Sequence, residues 1–242
     1  MTTVLKLGGS VITEKEEPET VDDDALDRAA SAIGDRDDLV VVHGGGSFGH
    51  HHAARYGVST TDGTADPAAV RTIHGAMKRL NDAVVASLAA AGTPAVPVHP
   101  FSVASRSADG TLQLPTDGIE SMLSEGFVPV LHGDVVVHTE RGATILSGDE
   151  LVVSIAAALE VDRVGVCSAV RGVFDDEGEV IDRIESFESV ADVLGGSDAT
   201  DVTGGMAGKV RELLALGSPA YVFDIDGLSA FVDGEHPGTR IG

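Results

Sequence analysis

The chain has one cysteine and no tryptophan, and aromatic residues make up only 4% of it. A lone cysteine forms no intrachain disulfide, so a reducing cytoplasm is the expected setting. Cys167 sits in Val164-Gly165-Val166-Cys167, which reads as a buried strand, and a core thiol is expected there rather than a nucleophile. No apolar run reaches the ~20 residues that a membrane helix needs. The opening residues lack a signal-peptide pattern. Positive charge is the largest deficit: 16 Lys and Arg face 39 Asp and Glu, for a formal charge of −23 over 242 residues. Nucleic acid and anionic membranes are therefore poor partners. The lysines are Lys6, Lys15, Lys78 and Lys209. A compact ammonium suits phosphate as a point charge.

The acidic residues are spread along the chain and not gathered in a tail, so a disordered acidic arm is not expected. Such a coat resembles proteins of salt-loving organisms, where salt screens self-repulsion.

What the chain does have is glycine, most densely in His43-Gly44-Gly45-Gly46-Ser47-Phe48-Gly49-His50. The apolar run Leu39-Val40-Val41-Val42 leads into it. Four glycines in six residues let bare backbone N–H groups approach an anion. The stretch reads as a phosphate cradle, with His50 as an added donor. His51 and His52 read as exposed bystanders, because three adjacent histidines do not all point at one ion.

Strand and helix alternate along the chain. Residues 3–7 read as a strand running into Gly8-Gly9-Ser10, and residues 22–33 as a helix with acids at its start. Asp66-Pro67 marks the start of a long helix ending at Gly92. Residues 95–98, 127–131, 164–167, 220–223 and 239–241 read as strands. Residues 102–118 read as a polar surface excursion, and His132-Gly133-Asp134 as a turn. Ser147-Gly148-Asp149 and Thr203-Gly204-Gly205-Met206 each open a helix. Short apolar strands between helices imply a parallel sheet covered on both faces. Ligands in such sheets sit beyond the strands' carboxyl ends, where the Gly8, Gly45 and Gly133 turns are expected to converge.

Gly44, Gly46 and Gly49 satisfy G-x-G-x-x-G, but the acidic residue a dinucleotide fold needs at the end of the next strand is missing. Gly208-Lys209 lacks the earlier glycine and the following Ser or Thr of a P-loop.

Together, Lys6-Leu7-Gly8-Gly9-Ser10, the stretch from His43 to His50, Ser147-Gly148-Asp149 and Thr203-Gly204-Gly205-Met206-Ala207-Gly208-Lys209 resemble the amino acid kinase family. The loop ending in His50 is similar to that of the family's isopentenyl phosphate kinase branch, and fosfomycin kinases share it. The chain departs from many relatives at Ser168-Ala169-Val170-Arg171-Gly172, where they carry an acidic segment.

The resemblance implies a three-layer αβα sandwich with an open, mainly parallel sheet. It implies one domain over residues 1–242, with about 1–160 binding the acceptor and about 161–242 binding ATP. It implies ATP-dependent phosphorylation of isopentenyl phosphate in isoprenoid biosynthesis, with Mg²⁺ and as a homodimer. It assigns Gly45, Gly46, His50 and Gly148 to the small-molecule phosphate. ATP falls to Lys6, Gly8, Gly9, Ser10, Gly46, Gly205 and Lys209. Lys15 would neutralise the transferring group, and Asp149 would orient the lysines or face the metal. The alternatives are a same-fold kinase for another small acid or phosphonate, and a non-catalytic nucleotide-binding subunit. The face Ile73, Met77, Leu80 is the candidate lining for a five-carbon tail.

Overall fold

A computed structural model describes residues 2–195 and 205–242. Its strands are β1 (Thr3–Leu7), β2 (Leu39–His43), β3 (Ala95–Pro97), β4 (Ser105–Arg106), β5 (Leu112–Gln113), β6 (Val128–His132), β7 (Asp134–His138), β8 (Gly142–Leu146), β9 (Arg163–Cys167), β10 (Arg183–Ile184), β11 (Ala220–Phe223) and β12 (Thr239–Ile241). Its helices are α1 (Gly9–Ile12), α2 (Asp23–Ile33), α3 (Gly46–Tyr56), α4 (Pro67–Ala90), α5 (Asp117–Ser124), α6 (Gly148–Ala158), α7 (Ala191–Gly195), α8 (Gly205–Leu214) and α9 (Leu228–Val232).

Eight strands form the central sheet in the order β10-β12-β11-β9-β1-β2-β6-β3. Its strands are parallel except that β12 runs antiparallel to β11, with β10 following β12. The central strands are apolar runs buried on both faces, as a parallel sheet between helices demands. In β1, Val4 belongs to the core cluster shared with α6 and α8, while Leu5 and Leu7 belong to the one shared with α2, α4 and α9. That alternation produces the three layers.

The helix signals resolve as expected. Asp22 accepts from the Ala25 N–H at 2.9 Å and caps α2, which buries Leu26, Ala29, Ala30 and Ile33 on one stripe. Asp66 accepts from the Ala68 N–H at 2.8 Å, with Pro67 at the first position of α4. Cys167 is fully buried, and burial pushes its thiol up to about 12, so it is an inert core group.

Register positions the site. Leu7 pairs with His43 and with Cys167, His43 with His132, and Cys167 with Phe223. Five loops therefore leave the sheet at one level, through Gly8, Gly44, Gly133, Ser168 and Asp224.

Three expectations change. Residues 102–118 are not only a surface excursion: they supply β4 and β5 to a second sheet, ordered β5-β4-β7-β8. Arg106 of β4 is buried because its guanidinium clasps both oxygens of Glu150, at 2.6 and 2.9 Å. His132-Gly133-Asp134 is a joint rather than a turn, since β6 runs to His132 and β7 starts at Asp134 in the other sheet. The cradle is also shorter than its glycines suggest, because α3 begins at Gly46 and takes in the histidine tract. Thr203 and Gly204 lie outside the described residues.

Candidate active site

The loops after β1 and β2 touch backbone to backbone. A Cβ on Gly9 would fall on the Gly46 N, and one on Gly44 would lie 2.6 Å from the Gly9 N. Gly46 has φ +46, and a side chain there would strike Thr13. These glycines are therefore required twice, for bare N–H groups and for the close meeting of two loops. The Gly9, Ser10, Gly45 and Gly46 N–H groups have no backbone acceptor among the described residues. The Ser47 N–H, by contrast, donates to Thr13 Oγ1 at 3.0 Å, and the Phe48 and Gly49 N–H groups to the Gly45 carbonyl.

His43 orients this loop. Burial pushes its imidazole down to about 4, so it is neutral. Its Nδ1–H donates to the Gly44 carbonyl at 3.1 Å. In a trans peptide the carbonyl and the next N–H point opposite ways, so this bond turns the Gly45 N–H away from His43. His43 Nε2 must then accept. It lies 3.1 Å from the Asn81 side-chain oxygen, while Asn81 Nδ2 is buried with no partner among the described residues. Turning the amide so that Nδ2 donates to His43 satisfies both groups.

On the α6 face, Lys6 reaches the first turn of that helix. Ser147 caps it by accepting from the Glu150 N–H at 3.1 Å. Gly148 keeps the approach open: a Cβ there would stand 3.4 Å from Lys6 Cε and 3.3 Å from the His43 carbonyl. Lys6 Nζ pairs with Asp149 Oδ2 at 2.7 Å, and Lys209 Nζ, from α8, donates to Asp149 Oδ1 at 3.3 Å. Asp149 thus bridges two ammonium groups that are distant in sequence. Burial, with a smaller push from Lys209, brings Lys6 down to about 8 although Asp149 pulls it up. Burial opposes ionisation of Asp149, but the two lysines outweigh it and hold the carboxyl below its usual range. A buried lysine with a depressed pKa beside glycine loops makes this cluster the candidate site.

The structure brings together Lys6, Asp149, Lys209, Gly148 and the Gly8, Gly9, Gly45 and Gly46 loops. Gly205 opens α8 with φ +59, and no described residue lies within 4 Å of where a Cβ would be. Ser10 is exposed in α1. His50 is exposed on the second turn of α3, and Lys15 is exposed in the turn between Thr13 and Val21; among the described residues neither shares a hydrogen bond or ion pair with the Lys6–Asp149–Lys209 bridge.

Two readings need correction. His52 is not an exposed bystander: it is 7% exposed, and its Nε2–H donates to Glu19 Oε1 at 2.6 Å. Ile73, Met77 and Leu80 are each at most 1% exposed, so they are core and line no open pocket. Sequence reasoning also missed Glu19, Thr13, Ser47 and Asn81, whose side-chain partnerships span 27 to 60 residues. Only the polarity of Asn81 within an apolar helix stripe could have flagged one of them.

No helix among the described residues is long and apolar enough to cross a membrane. The model of the amino acid kinase family matches residues 1–222. The chain is 62% identical over 241 residues to isopentenyl phosphate kinase of Haloferax volcanii, covering 98% of this chain and 97% of that one. It is 36% identical to isopentenyl phosphate kinase of Methanothermobacter thermautotrophicus, covering 98% of each. Among solved structures, an isopentenyl phosphate kinase superposes with a TM-score of 0.80 at 31% identity, covering all of both chains. The glycine loops, the lysines joined through Asp149 and these matches agree: the chain belongs to the amino acid kinase family.

Proposed function

We propose that this chain transfers the terminal phosphoryl group of ATP to isopentenyl phosphate, giving isopentenyl diphosphate and ADP. The observation that carries the reading is the bridge of Lys6 and Lys209 through Asp149, beside unbonded N–H groups from two touching loops. Relatives spanning the whole length carry that activity in their names.

The chemistry asks little of the protein in covalent terms. An oxygen of the acceptor phosphate attacks the terminal phosphorus of ATP, the bond to the bridging oxygen breaks, and ADP leaves. The acceptor is already anionic near neutral pH, so no general base is required. The protein must bring two anions together in line and neutralise the charge that spreads over the transferring group. In this reading Gly45, Gly46, Gly148 and His50 hold the acceptor phosphate. Gly8, Gly9, Ser10, Gly46 and Gly205 hold ATP with Lys6 and Lys209, and Lys15 covers the transferring group. The five-carbon tail lies against the half-buried Tyr56, Val70 and Phe101, which flank the small core around Ile73.

Mg²⁺ would supply charge neutralisation on the nucleotide. Asp149 already carries a lysine on each oxygen, and no group of three His, Cys, Asp or Glu among the described residues is placed to hold a metal. The donor set therefore suits a metal that arrives on phosphate oxygens, as Mg²⁺ usually does. The reading also takes residues 1–160 as the acceptor half and 161–242 as the ATP half, in a cytoplasmic homodimer.

A coupled ADP-release assay tests it, with isopentenyl phosphate, dimethylallyl phosphate, fosfomycin, acetylglutamate and UMP as acceptors. The highest kcat/KM is expected for isopentenyl phosphate. Turnover of another acceptor, with none of isopentenyl phosphate, would replace the reading by a different kinase of this family.

A further inference from the structure

The turn that carries Lys15 is fastened with unusual care. Thr13 and Val21 form an antiparallel bridge, the Glu14 N–H donates to the Thr20 carbonyl at 3.0 Å, and the Asp22 N–H to the Ile12 carbonyl at 3.0 Å. Beyond the bridge, Glu14, Lys15, Glu16, Glu17 and Pro18 are all exposed. Nothing in that tip has an apolar face to bury, and its three carboxylates repel one another. Left to itself such a segment would sample many conformations.

Its far end is held instead. Glu19 stands in the left-handed region at φ 53, which a residue with a Cβ seldom adopts. Its carboxylate is gripped from two helices: Oε1 accepts from His52 of α3 at 2.6 Å, and Oε2 from Arg79 Nε of α4 at 3.0 Å. The His52 ring is buried in making this bond, and its Nδ1 has no partner among the described residues. Beneath it, the Ser47 N–H donates to Thr13 Oγ1 at 3.0 Å and Ser47 Oγ donates to the Thr20 carbonyl at 3.3 Å. The two ends of the turn are thus tied to the first turn of α3, where the Gly45–Gly46 loop ends.

A strained glutamate and a buried, half-satisfied imidazole both oppose stability. Both are spent on one acidic surface turn, and that turn bears one of the four lysines. We infer that Glu19, gripped by His52 and Arg79, is a positioning residue: it latches the 13–21 turn to α3 and so sets Lys15 over the loop where phosphoryl transfer takes place. The inference rests on the proposed function, in which Lys15 neutralises the transferring group. Glu19 itself is given no contact with either substrate in that function.

The test is a double-mutant cycle on ADP release with isopentenyl phosphate, using Lys15→Ala, Glu19→Gln and the double variant. Misplacing a catalytic group by about 1 Å costs up to ~10²-fold, so Glu19→Gln is expected to lower kcat about 10- to 100-fold with KM for ATP unchanged. The double variant should be no slower than Lys15→Ala, because no lysine remains to be placed. His52→Gln, which removes the grip from the other side, should repeat the pattern. Losses that multiply, or Glu19→Gln at wild-type kcat, overturn the latch. Amide exchange supplies a readout independent of turnover: in Glu19→Gln the Glu14 N–H should exchange faster, with the α4 amides unchanged. Unchanged exchange at Glu14 overturns the latch whatever the kinetics show. Wild-type protein that fails to phosphorylate isopentenyl phosphate overturns the proposed function, and the exchange measurement then decides the latch on its own.

Discussion

Lys6→Met is expected to make the protein more stable and nearly inactive. Lys6 is 6% exposed, and burial brings it from the ordinary 10.5 down to about 8. At 1.36 kcal/mol per pKa unit, the charged form costs the fold roughly 3 kcal/mol. The sign follows from the depressed value. Below pH 8 both folded and unfolded chains carry the proton, and the fold bears the whole cost. Between about 8 and 10.5 the folded side chain has lost its proton while the unfolded one keeps it, so the cost fades as pH rises. Against this stands the general finding that removing one partner of a buried ion pair costs ~3–5 kcal/mol by stranding the other charge. Here Asp149 is not stranded: its side chain is 26% exposed and it keeps Lys209 at 3.3 Å. The first effect wins. Denaturant titration in molar KCl should find Lys6→Met more stable by roughly 3 kcal/mol at pH 7, with the gap narrowing to roughly 1 kcal/mol at pH 9.5. Turnover should fall ~10²–10³-fold, the usual loss for one oriented transition-state contact. A variant that is less stable at pH 7 would show that the pair supports the fold. One that keeps wild-type kcat would remove Lys6 from the site.

Salt and the histidine tract give two further tests. With a formal charge of −23, dialysis from molar KCl into dilute buffer lengthens the range of repulsion from ~3 Å to ~30 Å, so Tm should fall; a Tm that stays flat in a salt titration would refute the halophile reading. His50→Ala should lose roughly 10- to 150-fold in kcat/KM for isopentenyl phosphate, the worth of one hydrogen bond to a charged group, with KM for ATP little changed and His51→Ala silent. If His51→Ala is the damaging change in that steady-state comparison, the role assigned to His50 belongs to its neighbour.

The sheet was legible because its signals are local. Val40, Val41 and Val42 identify a strand without help from the rest of the chain, and Asp66-Pro67 marks a helix start by its own chemistry. The convergence of the Gly8, Gly45 and Gly133 turns also followed, since parallel strands of matched register must end together. Helix α3 was hidden because its first turn is glycine and serine, and its inward residues Phe48 and His52 make no apolar stripe. His52 was misread for a related reason: what buries it is Glu19, thirty-three residues earlier, held in a backbone conformation that no propensity announces. The short strands β4 and β5 are polar, and tertiary pairing makes them strands. At the site, the family resemblance nominated Lys6, Asp149 and Lys209, with Asp149 orienting the lysines or facing a metal, but it did not choose between those two roles. Nor did it reveal that Gly9 and Gly46 must be glycine so that two loops can touch.

The acidic coat and the proposed chemistry pull against each other, and the structure shows how they coexist. A net charge of −23 repels ATP and a phosphate acceptor at long range, so the charge of the chain as a whole does not draw them to this site. Concentrated salt removes that repulsion, since the Debye length shrinks to ~3 Å at 1 M. It would equally remove the attraction of lysines on flexible, solvated stems. Lys6 escapes this fate by burial, and Lys209 by its tie to the same carboxylate. Asp149 also cancels one of the two charges, leaving a single positive charge at short range with N–H dipoles beside it. Contacts of about 3 Å inside a low-dielectric wall are shorter than the screening length and survive it. Lys15 has no such shelter, being exposed on a turn crowded with glutamates. In the proposed function its usefulness depends on placement rather than on field strength, and placement is the role we assign to the grip of His52 and Arg79 on Glu19.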